Sequence, residues 1–116
     1  MSELSPAEQA RNAKFQPRLE AELAELLELS EATTDRRAPV TLDQQSVGRL
    51  ARMDAMQVQA MAQAVERRRR DRIYRVRSAL GRIEEGEFGY CVECGEAIAE
   101  GRLDVDPASH LCVRCA

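Results

Sequence analysis

Bulky aromatic residues are scarce in this chain of 116 residues, which contains two phenylalanines, two tyrosines and no tryptophan. Alanine, leucine, arginine and glutamate dominate instead, a composition typical of long helices rather than of a thick mixed core. A chain of this length suffices for one small domain, or for a long helical element with a small module attached. The composition therefore favours an elongated helical molecule and excludes a large enzyme built from several lobes.

The sequence also lacks any run of about 18 apolar residues, the length that a membrane-spanning helix requires. Its N-terminus does not show the basic and then apolar order of a secretory signal. We therefore expect a cytoplasmic protein with no membrane partner. In that reducing compartment, paired cysteines are more often metal ligands or redox groups than structural disulfides.

A surplus of positive charge is missing too, because the net charge is −3. The phosphates of nucleic acid demand a positive surface, so we expect no direct sequence-specific nucleic acid binding. The charge is nevertheless segregated, because residues 46–85 carry ten basic and five acidic side chains and residues 86–116 carry two basic and six acidic ones. We interpret the arginines between residues 67 and 77 as a solvated helix face, partly paired with glutamates and partly free to meet an acidic partner.

Two helices are predicted from cap signals and apolar spacing. The residues Ser5-Pro6-Ala7-Glu8 form a typical helix start, and apolar residues then recur at every third or fourth position. The pattern predicts a helix over about 6–32, a loop over 33–41 and a second helix over about 42–85. Pro17 lies inside the first helix and predicts a kink there.

A short loop requires the two helices to run antiparallel, as a hairpin of the coiled-coil kind. If Leu26 lies opposite Leu50, then Phe15 faces Met61, and the methionines of the second helix fill the seam. The apolar residues between 73 and 83 lie beyond most of the first helix in this register. They need another partner, and the C-terminal tail is the nearest.

Four cysteines stand near the C-terminal end, as Cys91-x2-Cys94, seventeen further residues, and Cys112-x2-Cys115. Each two-residue gap lets one tight turn present two thiolates to the same ion, and two such turns complete a tetrahedral shell. Because protein ligands fill all four positions, the pattern predicts one structural zinc ion and no catalytic metal. A dithiol redox centre or a disulfide pair is the alternative, although neither pair follows a strand at the start of a helix. We interpret His110, the single histidine, as a surface residue.

The residues around the cysteines resemble a known family. They are Gly86-Glu87-Phe88-Gly89-Tyr90 before the first pair, Ile98, Arg102-Leu103 and Pro107 between the pairs, and Leu111 before the second pair. In these residues the segment 86–116 resembles the zinc finger of the DksA/TraR family of bacterial transcription factors. The resemblance extends more weakly over the preceding residues. It implies a mainly α fold, in which an antiparallel helical hairpin over residues 1–85 precedes the four-cysteine finger.

The resemblance also implies a partner, because members of this family bind RNA polymerase directly and insert the hairpin into its secondary channel, often together with guanosine tetraphosphate. The best-known member has an Asp-x-x-Asp-x-Ala pattern at its hairpin tip, which is absent here; Ala51 and Met53 stand at two of its positions. The candidate partner-binding residues at the tip are Asp43, Arg49, Arg52, Asp54 and Ala55. The alternative function is a zinc-stabilised interaction module with a partner other than polymerase. No catalytic constellation is recognisable in the sequence, so we do not expect an enzyme.

Overall fold

The architecture is that of a computed structural model, which describes residues 4–34 and 48–116. This part of the chain contains three helices, α1 (Pro6–Ala32), α2 (Arg49–Glu85) and α3 (Glu100–Val105). The molecule is elongated and measures 68 × 28 × 23 Å. The predicted fold class, a mainly α hairpin followed by a small four-cysteine finger, is confirmed.

The first long helix begins as its sequence predicts. The Ser5 Oγ accepts a hydrogen bond from the N–H of Glu8 at 3.1 Å and so satisfies one of the free amides of the first turn. The helix continues through Pro17 and ends at Ala32. Neither long helix carries, in the described residues, the apolar stretch that crossing a membrane requires.

The second long helix begins after an extended Gly48 and ends at Glu85, where Gly86 caps it. Gly86 takes a φ of +78°, and its N–H bonds back to the carbonyl of Ile83, as a left-handed helix cap requires. Most of the predicted loop over 33–41, and the predicted start of this helix near residue 42, lie outside the described residues.

Two cross-helix contacts define the direction and register of the hairpin. Near the end of α1, Ser30 Oγ donates to Glu66 Oε2 at 3.3 Å, while eight residues earlier Glu22 accepts two hydrogen bonds from Arg72. The helices are therefore antiparallel, and the end of α1 lies beside the middle of α2.

The predicted register of the hairpin is wrong. Phe15 does not face Met61, because Phe15 is fully buried at the finger end and Met61 is 69% exposed. The prediction assumed a short loop, whereas α1 ends at Ala32 and α2 begins only at Arg49. The first half of α2 therefore extends past the end of α1, and its methionines are surface residues rather than seam fillers. The exposed large apolar residues there are Leu50, Met53, Met56, Val58, Met61 and Val65.

One apolar core joins the hairpin to the finger. Its buried members are Phe15 and Leu19 of α1, Val76, Ala79 and Ile83 of α2, and Phe88, Cys91, Ile98, Leu103 and Ala108 of the finger. The rings of Phe15 and Phe88 lie 6.0 Å apart at 55°, a favourable tilted arrangement. The expectation that the second half of α2 packs against the C-terminal tail is confirmed. Phe15 and Leu19 of α1 contribute to the same core, whereas the predicted register had paired Phe15 with Met61.

Candidate metal centre and hairpin tip

Two tight turns present the cysteines in pairs. In the first turn the N–H of Gly95 donates to the carbonyl of Cys91 at 2.9 Å, and Gly95 takes a φ of +79°. In the second turn the N–H groups of Cys115 and Ala116 donate to the carbonyl of Cys112 at 3.1 and 3.0 Å. Each turn thus places both of its sulfur atoms on the same side of the backbone.

Backbone contacts join the two turns to each other. The N–H of Val92, in the first turn, donates to the carbonyl of His110 at 2.9 Å. Tyr90 and Ala97 form an isolated antiparallel bridge on either side of the first turn. The side chain of His110 is half-buried at the wall of a cavity of about 400 Å³ beside α2, and it is outside the group of clustered metal-binding side chains.

The four sulfur atoms form one cluster of the size that zinc requires. All of the Sγ atoms of Cys91, Cys94, Cys112 and Cys115 lie within 4.8 Å of one another, and those of Cys94 and Cys112 are 3.6 Å apart. A tetrahedral ion with Zn–S bonds of about 2.3 Å places its sulfur ligands roughly 3.8 Å apart. The structure therefore brings together every cysteine that the sequence predicts as a ligand.

The surroundings of the thiols also favour a bound cation. Burial alone would raise the pKa of Cys91, but hydrogen bonds from the backbone N–H groups of Cys94, Cys112 and Glu93 lower it to about 6. The neighbouring thiols Cys112, Cys91 and Cys94 raise the pKa of Cys115 to about 12. Because thiolates in one cluster resist a further negative charge, a divalent cation is needed to hold all four deprotonated. This donor set fits one structural zinc ion with no open position.

Arg11 of α1 attaches the helical arm to the first turn of the finger. Its Nη2 donates to the carbonyl of Phe88 at 2.7 Å, and its guanidinium lies 5.1 Å from the centre of the Tyr90 ring. Gly89, with a φ of +91°, leaves the space that Arg11 occupies, because a Cβ there would overlap the guanidinium. No local pattern in the sequence pointed to Arg11 as the partner of this segment.

The tip candidates lie at the opposite end of the arm from the cysteines. Arg49, Arg52, Asp54 and Ala55 occupy the first two turns of α2, and α2 has 37 residues. At 1.5 Å per residue, the beginning of α2 is about 55 Å from the finger. Arg49 and Asp54 are exposed, whereas Arg52 and Ala55 are half-buried. Asp43, the remaining candidate, lies outside the described residues.

The arginine-rich stretch of α2 is divided between paired and unpaired side chains. Arg69 Nη1 binds Glu66 Oε2 at 2.6 Å, and Arg72 Nε binds Glu22 Oε1 at 2.6 Å. Over residues 4–34 and 48–116, no ion pair involves four other arginines, all of them exposed: Arg67, Arg68, Arg75 and Arg77. The stretch therefore combines a structural role on the inner side of α2 with free positive charge on its outer side.

Comparison with known proteins assigns the finger and the fold. Residues 86–116 match the family model described as the prokaryotic dksA/traR C4-type zinc finger. The RNA polymerase-binding transcription factor DksA of Escherichia coli (strain K12) is 38% identical over 56 residues, which cover 45% of this chain and 37% of that protein. The finger is therefore of the DksA/TraR type. The DksA of Caulobacter vibrioides (strain NA1000 / CB15N) is 43% identical over 54 residues, which cover 43% of this chain and 38% of that protein.

The alignment with these relatives is partial, while the structural likeness spans nearly the whole chain. The chain aligns with less than two fifths of the length of the curated relatives it matches. The transcription factor DksA2 from Pseudomonas aeruginosa superimposes with a TM-score of 0.54 at 22% sequence identity, over 94% of this chain and 74% of that chain. The two proteins therefore share the fold of a helical arm with a finger at its base.

Proposed function

We propose that this protein is a member of the DksA/TraR family and a bacterial transcription regulator that binds RNA polymerase directly, with its hairpin inserted in the secondary channel and without reading a DNA sequence. The observation that carries the proposal is a narrow arm fixed at one end by a finger of the family type. α2 alone extends for about 55 Å at 1.5 Å per residue. The relatives that share the finger sequence are described as RNA polymerase-binding transcription factors.

The two ends of the molecule have different roles in this proposal. The zinc ion bound by the four cysteines is structural, has no open position for a substrate and keeps the base of the arm folded. The role we propose for the protein involves no catalysed reaction. The charged tip residues Arg49, Arg52 and Asp54, together with Asp43 and Ala55, enter the polymerase. Among the described residues no ion pair engages Arg49, Arg52 or Asp54, so their charges are available to a partner. The protein acts in the cytoplasm, and guanosine tetraphosphate bound jointly with polymerase is a candidate co-effector that the assay below tests.

A binding and transcription assay tests this role. Zinc-loaded protein is expected to form a complex with purified RNA polymerase and to change transcript yield from ribosomal-type promoters, with and without guanosine tetraphosphate. Charge reversal at the tip, by Arg52→Glu or Asp54→Arg, is expected to alter the effect on transcription while binding is retained. Glu25→Arg on the exposed face of α1 is the matched control. If the unmodified protein neither binds polymerase nor changes transcript yield, the proposal fails.

Photo-crosslinking tests the location of the arm. A photoreactive amino acid in place of Met56, which is 55% exposed near the tip, is expected to crosslink to polymerase residues that line the secondary channel. The same group in place of Val105, on the finger helix α3, is expected to crosslink only outside the channel. Crosslinks from both positions to one outer surface would place the arm outside the polymerase.

A second candidate function is a zinc-stabilised interaction module with a partner other than polymerase. The exposed apolar side chains of the first half of α2, such as Leu50 and Val58, favour it, because exposed apolar patches often mark protein interaction sites. The altered tip sequence favours it as well. This candidate predicts that transcription is unchanged and that Leu50→Ser has no effect on any polymerase assay.

A further inference from the structure

One guanidinium connects α1, α2 and the finger. Arg72 of α2 donates from Nε and Nη2 to the two carboxylate oxygens of Glu22 in α1, at 2.6 and 3.0 Å. Its remaining nitrogen, Nη1, lies 2.8 Å from Oδ1 of Asp106, the residue that follows α3 in the finger. All three nitrogen atoms of Arg72 therefore bind carboxylates that belong to two different parts of the fold.

The geometry around Arg72 is more restrictive than that of an ordinary surface ion pair. The contact with Glu22 is bidentate, which fixes the orientation of the planar guanidinium as well as its position. Asp106 is held in turn, because its Oδ1 also accepts a hydrogen bond from the N–H of Ala108 at 3.0 Å. The side chains of Arg72 and Glu22 are 27% and 31% exposed, so water screens this pair only in part.

The other ion pairs between the arm and the finger are more exposed to water. Lys14 lies 3.2 Å from Glu100 and 2.8 Å from Asp104, and Arg18 lies 3.9 Å from Asp104. These side chains are close to half exposed or more, and exposed pairs contribute little to stability. They also start from α1 alone. Arg72 is therefore the residue with ion pairs to α1 and to the finger at once in the described part of the chain.

The apolar core holds the finger close to the arm, but hydrophobic burial is not directional. Orientation matters here because the arm is a long lever. At 1.5 Å per residue, a rotation of about 10° at the base of α2 displaces its beginning by roughly 10 Å. Directional contacts at the base hold the tip in one place relative to the finger. Arg11 joins α1 alone to the carbonyl of Phe88, whereas Arg72 of α2 binds both Glu22 of α1 and Asp106 of the finger.

We propose that Arg72 is the positioning residue that fixes the direction of the finger relative to the helical arm. A partner that contacts both the tip and the finger then meets a prearranged shape and does not have to order it on binding. The expected benefit for partner binding rests on the proposed function, whereas the orientation of the finger is a property of the free protein alone.

Residual dipolar couplings of backbone amides in the zinc-loaded full chain test the orientation. In the unmodified protein, one alignment tensor is expected to fit the amides of α2 and of residues 86–116 together. In Arg72→Met, which keeps the aliphatic stem and removes the guanidinium, the two sets are expected to need separate tensors. Arg75→Met is the matched control, because it removes an exposed arginine of the same helix that has no ion pair in the described residues.

A second variant separates orientation from folding. Asp106→Asn keeps the Oδ1 acceptor for the N–H of Ala108 and removes the charge that binds Arg72, so zinc content and helical signal are expected to stay unchanged. Separate tensors in this variant support the proposed positioning role of Arg72. A single tensor for arm and finger in a zinc-loaded Arg72→Met overturns the proposal, because that variant leaves no donor at this position, whereas the amide oxygen in Asp106→Asn can still accept from Arg72 Nη1.

A titration against RNA polymerase tests whether the fixed orientation of the finger strengthens binding. Because the tip is untouched, Arg72→Met is expected to weaken binding about 3- to 10-fold by the ordering cost alone. Unchanged affinity in a variant with separate tensors would show that the orientation of the finger does not contribute to polymerase binding. Absence of binding by the unmodified protein would instead refute the proposed function, and the dipolar couplings would still decide whether Arg72 orients the finger.

Discussion

Truncation of Phe15 to alanine tests the core that joins the arm to the finger. Phe15 is fully buried and its ring lies 6.0 Å from that of Phe88, so the change removes an aromatic side chain from the place where α1, α2 and the finger meet. We expect the free energy of unfolding to fall by about 3–5 kcal/mol, the usual cost of Phe→Ala in a protein core.

Two contributions make up this magnitude. Loss of transfer free energy accounts for about 1.5–3 kcal/mol, the value of burying a large apolar side chain. The cavity left behind accounts for the remainder, because its walls belong to three elements that cannot all move inward. Val76 of α2 and Leu103 of the finger are fully buried in the same core.

Guanidinium unfolding followed by far-UV circular dichroism, at a fixed free zinc concentration, measures the change. Met61→Ala is the control, because Met61 is 69% exposed and its truncation is expected to change stability by no more than about 0.5 kcal/mol. The alternative hairpin register pairs Phe15 with Met61. Equal destabilisation by the two substitutions would refute the register and the shared core.

Two further predictions concern the finger. Gly89→Ala is expected to destabilise the protein by about 1–3 kcal/mol, because alanine is strained at a φ of +91° and its Cβ would overlap Arg11. The control Gly81→Ala has no atom near its Cβ and should instead stabilise α2 by up to about 1 kcal/mol. Thermal unfolding of the two variants compares these effects. Chelation of zinc, or Cys94→Ser, is expected to unfold residues 86–116 and to loosen α1 from α2. Amide NMR spectra would show both changes. The control Val113→Ser, in the other cysteine turn, should keep the metal. Retention of a folded finger after the metal is removed would contradict the structural role of zinc.

Local chemistry accounts for the features that the sequence alone predicts. The cap at Ser5 depends on residues three positions apart, and the pairing of Cys91 with Cys94 depends on one turn. The spacing of Cys112 and Cys115 repeats that turn, so the donor set identifies the metal without knowledge of the fold. In each case the interacting groups lie within a few residues of one another.

The tertiary structure decided how far the two helices slide along each other and what meets at the base of the arm. Apolar periodicity shows which face of a helix is buried, but a shift by whole turns preserves that face, so Phe15 could be paired with either Met61 or the finger by pattern alone. The shared core selects the finger, since burial there is contributed by three elements at once. The contacts of Arg11 with Phe88 and of Arg72 with Asp106 join residues far apart in the chain, and they form where the shared core holds those segments next to each other.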